Sequence, residues 1–146
     1  MKTALLDLNI LTALLWPAHE HHERAHHWFR ARGSARWATC AVTQLGFVRL
    51  VSNPAFSRDA LSPSGAVVLL GQNLTHTAHE FWTDDLQLPT AIERIESELQ
   101  GYRQLTDAYL LALANHRKGV LASFDRGLRP LAGESLASAL EIVPTR

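Results

Sequence analysis

Short apolar runs of strand length alternate along this chain with longer stretches of helical periodicity, the pattern of a parallel sheet covered by helices. Thr3 to Leu6, Arg36 to Cys40, His79 to Trp82, Val120 to Phe124 and Glu141 to Val143 read as strands. Between them, a short helix after Asp7 stops near Trp16-Pro17, where proline cannot continue it. A second helix spans His19 to Arg32, with Ala25, Trp28 and Phe29 on one face and Gly33 as its stop. Thr43 opens a third, closed by Asn53-Pro54, and Ser62-Pro63 caps a fourth that runs to Leu74. Thr90 to Glu93 has capping-box spacing, with Ile92, Ile95 and Leu99 as the buried stripe of a helix. Thr106 to Lys118 is a helix rich in Ala and Leu, capped by Thr106 and ended by Gly119. The expected fold class is therefore α/β, with one domain over residues 1–146.

Charge and cysteine content narrow the function classes. Fourteen Lys and Arg balance fourteen Asp and Glu, so no overall field draws the chain to a polyanion or a membrane, and any such ligand must be held locally. Cys40 is the only cysteine, which rules out an intrachain disulfide and any multi-cysteine zinc or iron-sulfur site and fits a reducing, cytoplasmic setting. The run before Asp7 is too short for a signal peptide, and Ala108 to Ala114 is too short to span a bilayer, so no membrane association is expected.

In a parallel α/β sheet, chemistry collects beyond the carboxyl ends of the strands, so acids at strand-to-helix junctions are the informative ones. Asp7 follows the first strand, Asp125 follows the fourth, and Asp107 lies in the first turn of the helix before it. Singly, each is also what a helix cap or turn would use. Jointly they raise a different question, because carboxylates about 5 Å apart repel by about 3 kcal/mol per pair at an effective dielectric near 20. Raised pKa values or a bound cation must absorb that cost. Oxygen-only donors without a thiolate favour Mg²⁺ or Mn²⁺, the ions of metal-assisted phosphodiester hydrolysis, with water as nucleophile. Asn9 either orients Asp7 or a water, or caps its helix locally.

These segments resemble the PIN-domain ribonucleases and, within them, the VapC toxins of bacterial toxin-antitoxin pairs. The resemblance covers nearly the whole chain: LLDLNILTALLWP, HHERAHHWF, TQLGFVRLVSNP, LTDAYLLALA and SFDRGL occur in the family's order. It implies a parallel sheet with helices on both sides, a homodimer, Mg²⁺- or Mn²⁺-dependent RNA cleavage and inhibition by a small VapB-type antitoxin. Asp7, Asp107 and Asp125 match the family's first, third and fourth acids. Gln44 stands where many members carry a glutamate, so it holds metal more weakly or orients from the outer shell. Glu80, Asp84 and Asp85 are substitute carboxylates to consider.

Two other readings accompany this one. His22-Glu23-Arg24-Ala25-His26 satisfies the H-E-x-x-H pattern of zinc proteases, although five histidines between His19 and His27 make a chance match easy. The other is a binding module: the same fold, degraded at Gln44, gripping RNA or an antitoxin without cutting. Arg126 and Arg129, beside Asp125, are candidate phosphate contacts or plain surface arginines. His19 or His22 lies near an RNA path or, more simply, has a plain surface role, and aromatics such as Trp16, Trp28, Phe47 and Trp82 stack on bases or, more simply, fill the core.

Overall fold

The computed structural model describes residues 1–146. Five strands, β1 (Ala4–Leu6), β2 (Trp37–Cys40), β3 (His79–Trp82), β4 (Val120–Ser123) and β5 (Leu140–Ile142), form one sheet in the order β3-β2-β1-β4-β5. Every pairing is parallel. The helices are α1 (Leu8–Leu15), α2 (His22–Ala31), α3 (Ala41–Val51), α4 (Pro63–Leu74), α5 (Leu88–Ile92), α6 (Leu105–His116) and α7 (Leu128–Ala132). None is long and apolar enough to cross a membrane.

Strand parity splits the core into two layers, because alternate side chains leave opposite faces of the sheet. Ala4 and Leu6 join Trp37, Val120 and Ala122 beneath a layer that includes Ile10, Phe47 and Leu70 from α1, α3 and α4. Leu5, Ala38, Cys40 and Leu121 face the other way, under Leu110, Leu111 and Leu113 of α6 and Leu128 and Leu131 of α7. With both faces covered, β1, β2 and β4 are buried throughout, and their only polar side chains are Thr39 and Ser123.

Several sequence expectations shift at their edges. The second helix begins at His22 instead of His19, since residues 17–21 form turns in which His22 N–H donates to His19 O at 3.0 Å. α3 starts at Ala41: Thr43 lies in its first turn, where Oγ1 accepts from the Cys40 N–H at 3.1 Å. The helix expected from Thr90 is instead a five-residue helix from Leu88 with proline in its first turn, a break, and a short 3₁₀ turn over Glu96–Glu98. α6 starts at Leu105 after Gln104, so Thr106 is not its cap. It ends at His116, Lys118 just beyond it takes the left-handed conformation at φ 57°, and Gly119 serves a different need. A Cβ there would sit 2.5 Å from Thr3 O and 2.7 Å from the Trp82 ring, so only glycine lets β4 enter the sheet beside β1.

Candidate metal centre

The chain builds β1, β2 and β3 outward on one side, then crosses to β4 on the other side of β1. The crevice between β1 and β4 is thus the topological switch point, where open parallel sheets bind ligands. Asp7 and Asp125 stand just beyond the carboxyl ends of those two strands, and the Asp7 N–H donates to Ala122 O at 3.0 Å. Asp107 reaches the same place from the first turn of α6. All three acids line one cleft of about 320 Å³, together with Asn9, Thr12, His19, Leu50 and Phe56.

Local chemistry fixes Asp7 firmly. It is the N-cap of α1, with Oδ1 accepting from the Leu8 N–H at 2.8 Å. Its other oxygen accepts from Ser123 Oγ at 2.7 Å. Ser123 is fully buried; its hydroxyl also accepts from Asn9 Nδ2 and from the Asp125 N–H, each at 3.1 Å. One donor and two acceptors exhaust the hydroxyl, so Ser123 ties together Asp7, Asn9 and the backbone of Asp125. Asn9 Oδ1 accepts in turn from the Phe124 N–H at 3.2 Å. Asn9 therefore orients the site through Ser123, and is not a local cap.

The electrostatics report uncompensated negative charge. Burial raises the Asp7 carboxyl above its ordinary value; the bonds from Ser123 and Leu8 pull it down, and Asp125 adds to the rise. Asp107 is pushed up to about 6, first by burial and then by the charges of Asp7 and Asp125. None of the three acids pairs with a cationic side chain; every ion pair in the protein lies elsewhere. A hard divalent cation fits this donor set. No three His, Cys, Asp or Glu side chains approach closely enough to enclose one ion. Mg²⁺ asks for less, since it is held by one or two carboxylates with water and phosphate oxygens completing its octahedron.

Other candidates fall outside the cleft. Gln44 does not line it: Nε2 donates to Thr39 Oγ1 at 3.0 Å, and that hydroxyl meets His79 Nε2 at 2.8 Å. Glu80 pairs with Arg36 at 2.6 Å and accepts from Trp82 Nε1, while Asp85 faces His116 and Arg117, so neither replaces a missing acid. Arg126 is exposed one residue past Asp125. Arg129 lines a separate hollow with Ala132, Ala137, Leu140 and Ile142. His22 Nδ1 lies 2.7 Å from Ala13 O, and His26 Nε2 lies 2.9 Å from Leu14 O. Both oxygens belong to the last turn of α1, which has no intrahelical donors left for them. The H-E-x-x-H run is thus a helix-capping device; each imidazole spends a nitrogen on a carbonyl, and no third ligand stands near.

The PIN domain family model matches residues 4–134, which spans both strands of the crevice and all three acids. The chain belongs to the PIN-domain family. Among VapC ribonucleases of Mycobacterium tuberculosis, Ribonuclease VapC39 is 37% identical over 138 residues, covering 94% of this chain and 99% of the relative. Ribonuclease VapC44 is 42% identical over 126 residues, covering 86% and 87%. The fold is shared with the VapBC2 assembly of Rickettsia felis bound to a promoter DNA fragment. Its matching chain superposes with a TM-score of 0.66 at 11% identity, over 97% of this chain and 99% of that one. In this PIN domain the residue that sequence reasoning missed is Ser123. A serine closing an apolar strand carries no motif of its own; only the register of β4 against β1, Leu6 opposite Ala122, brings it under Asp7.

Proposed function

We propose that this PIN-domain chain is a metal-dependent endoribonuclease, the toxin of a VapBC-type pair, using Asp7, Asp107 and Asp125 to hold Mg²⁺ or Mn²⁺. The observation that carries this reading is the convergence of three unpaired acids on the β1/β4 switch crevice. Its relatives bear the name ribonuclease over nearly their full length, which supports RNA as the substrate.

When bound, the ion activates water and stabilises charge developing on the phosphate. The chain's own residues prepare for it. Ser123 and the Leu8 N–H hold the Asp7 carboxylate by both oxygens, so it does not have to reorganise. Asp107, pushed up to about 6, is mostly ionised at neutral pH and would be free to hold a cation there, while below about 6 a proton would compete for the same oxygens. No side chain serves as nucleophile. Arg126, exposed beside Asp125, is the nearer of the two arginine candidates for a phosphate contact.

A VapB-type antitoxin is the expected protein partner, consistent with VapBC assemblies sharing the fold. An acidic cleft with an apolar wall suits a partner segment that is basic and apolar together. A homodimer is supported by exposed Leu45 on α3 and exposed Val67 and Val68 on the adjacent α4.

The deciding experiment is cleavage of an RNA panel, transfer RNA included, by antitoxin-free protein in Mg²⁺, Mn²⁺ or EDTA. Metal-dependent cutting that disappears in Asp7→Asn is expected. Folded wild-type protein that cuts nothing in either metal would leave a binding module instead.

A further inference from the structure

The cleft that holds the acids is not acidic throughout, and its other wall is largely apolar. Leu50, in the last turn of α3, and Phe56, on the turn that follows, supply apolar surface to the cleft that Asp7 and Asp107 also line. That turn is fixed: Asn53 Oδ1 accepts from the Ala55 N–H at 3.0 Å, and Asn53 O from the Phe56 N–H at 2.9 Å. Trp16 meets the Phe56 ring edge-on at 5.3 Å, so the ring is held from behind while part of it stays open. His19 lines the cleft from the α1–α2 turn. The His21 N–H donates to its Nδ1 at 3.0 Å, which makes Nδ1 an acceptor and leaves the proton of the neutral ring on Nε2. Burial and the neighbouring His21 and His22 lower the His19 pKa, keeping that neutral form at neutral pH. Thr12, 1% exposed, also lines the cleft, and its buried hydroxyl has no hydrogen-bond partner anywhere in the protein.

We infer that this wall is a nucleobase subsite: an unpaired base next to the scissile phosphate stacks on Phe56 against Leu50 and takes a polar contact from His19 Nε2–H. The inference rests on the nuclease reading above and assigns a base contact to residues of the cleft outside the three acids. A phosphate would find no cation on this wall, whereas a base offers a flat apolar face and a polar edge, matching an aromatic ring with a donor beside it.

The test uses short single-stranded RNAs in which 2-aminopurine replaces one base at a time, bound to Asp7→Asn protein in Mg²⁺, with binding followed by anisotropy. One register should show quenched fluorescence on binding. Phe56→Leu, which keeps packing on Trp16 but removes the ring face, should abolish that quenching and weaken binding by about ten-fold or more, within the range of one base–aromatic stack. His19→Ala should weaken binding, with partial recovery in His19→Gln, which keeps an N–H donor. In parallel, wild-type protein should cut single strands in preference to duplexes and slow at one abasic position. RNA that is bound and cut with no quenched register, no effect of Phe56→Leu and no abasic position that matters overturns the subsite and leaves the nuclease intact. RNA neither bound nor cut overturns both.

Discussion

Ser123 Oγ donates to Asp7 Oδ2 at 2.7 Å from a fully buried position, and through that bond the end of β4 sets the conformation of the acid that ends β1. Removing it frees the carboxylate and strands the Asn9 amide and the Asp125 N–H. Ser123→Ala should destabilise the protein by about 1–3 kcal/mol, the cost of a lost hydrogen bond to a buried charged group. It should also weaken Mg²⁺ or Mn²⁺ binding by about ten- to a hundred-fold, as loss of an orienting partner does. Urea melts and a metal titration followed by calorimetry check the two separately. Unaltered metal affinity would mean that Asp7 needs no support.

Asp107 gives the site a pH signature. Its folded-state pKa of about 6 exceeds the unfolded value near 3.8, so the native state binds more protons between those limits. Without metal, stability should therefore fall as pH rises from about 4 through 6 and then level off, with buried Asp7 acting in the same direction. Added Mg²⁺ should raise the melting temperature more at pH 7.5 than at pH 5, because the ion must displace the proton. Asp107→Asn should raise the metal-free melting temperature at pH 7.5 and cancel the metal response. Melting curves across pH with and without Mg²⁺ decide it.

The two histidines of the H-E-x-x-H run should matter for stability alone. With Ala13 O and Leu14 O left without their donors, His22→Ala combined with His26→Ala should cost about 1–3 kcal/mol. RNA cleavage at a temperature where the variant is folded should persist, and a zinc-selective chelator should leave it unchanged. Loss of cleavage from folded double variant would show that these rings do more than cap α1.

What was readable from sequence divides along physical lines. The succession of strands and helices along the chain and the three acids at strand or helix ends follow from local periodicity and from where α/β sheets place ligands; each needs only neighbours in the chain. Ser123, Leu50 and Phe56 depend on contacts between distant segments, and no local pattern carries them; of that wall only His19 is a candidate in the sequence. The Thr90 capping box failed because Leu88-Pro89 starts a helix earlier and the chain breaks before Ile95. Gly119 looked like a helix stop, but its role is set by Thr3 and Trp82, residues that meet it only in the folded sheet. Gly119→Ala should accordingly cost more than a helix-end glycine would, about 1–3 kcal/mol from overpacking against backbone, measurable in a urea melt.

Gln44 tests whether the family's usual glutamate is missed here. Its amide donates to Thr39 Oγ1, which is fully buried and in contact with His79 Nε2, and the acid cleft lies elsewhere. In Gln44→Glu the donor becomes an acceptor, so the Thr39 hydroxyl must turn its proton toward the new carboxylate and accept from a protonated His79 Nε2. In the wild type His79 is held below the ordinary histidine value, chiefly by burial. The substitution should therefore raise the His79 pKa, visible by NMR titration of its ring protons, while leaving the rate of RNA cleavage and the metal affinity unchanged. A cleavage rate that climbs with Gln44→Glu would instead place position 44 in the metal centre during turnover, and would require α3 to move its first turn toward Asp7.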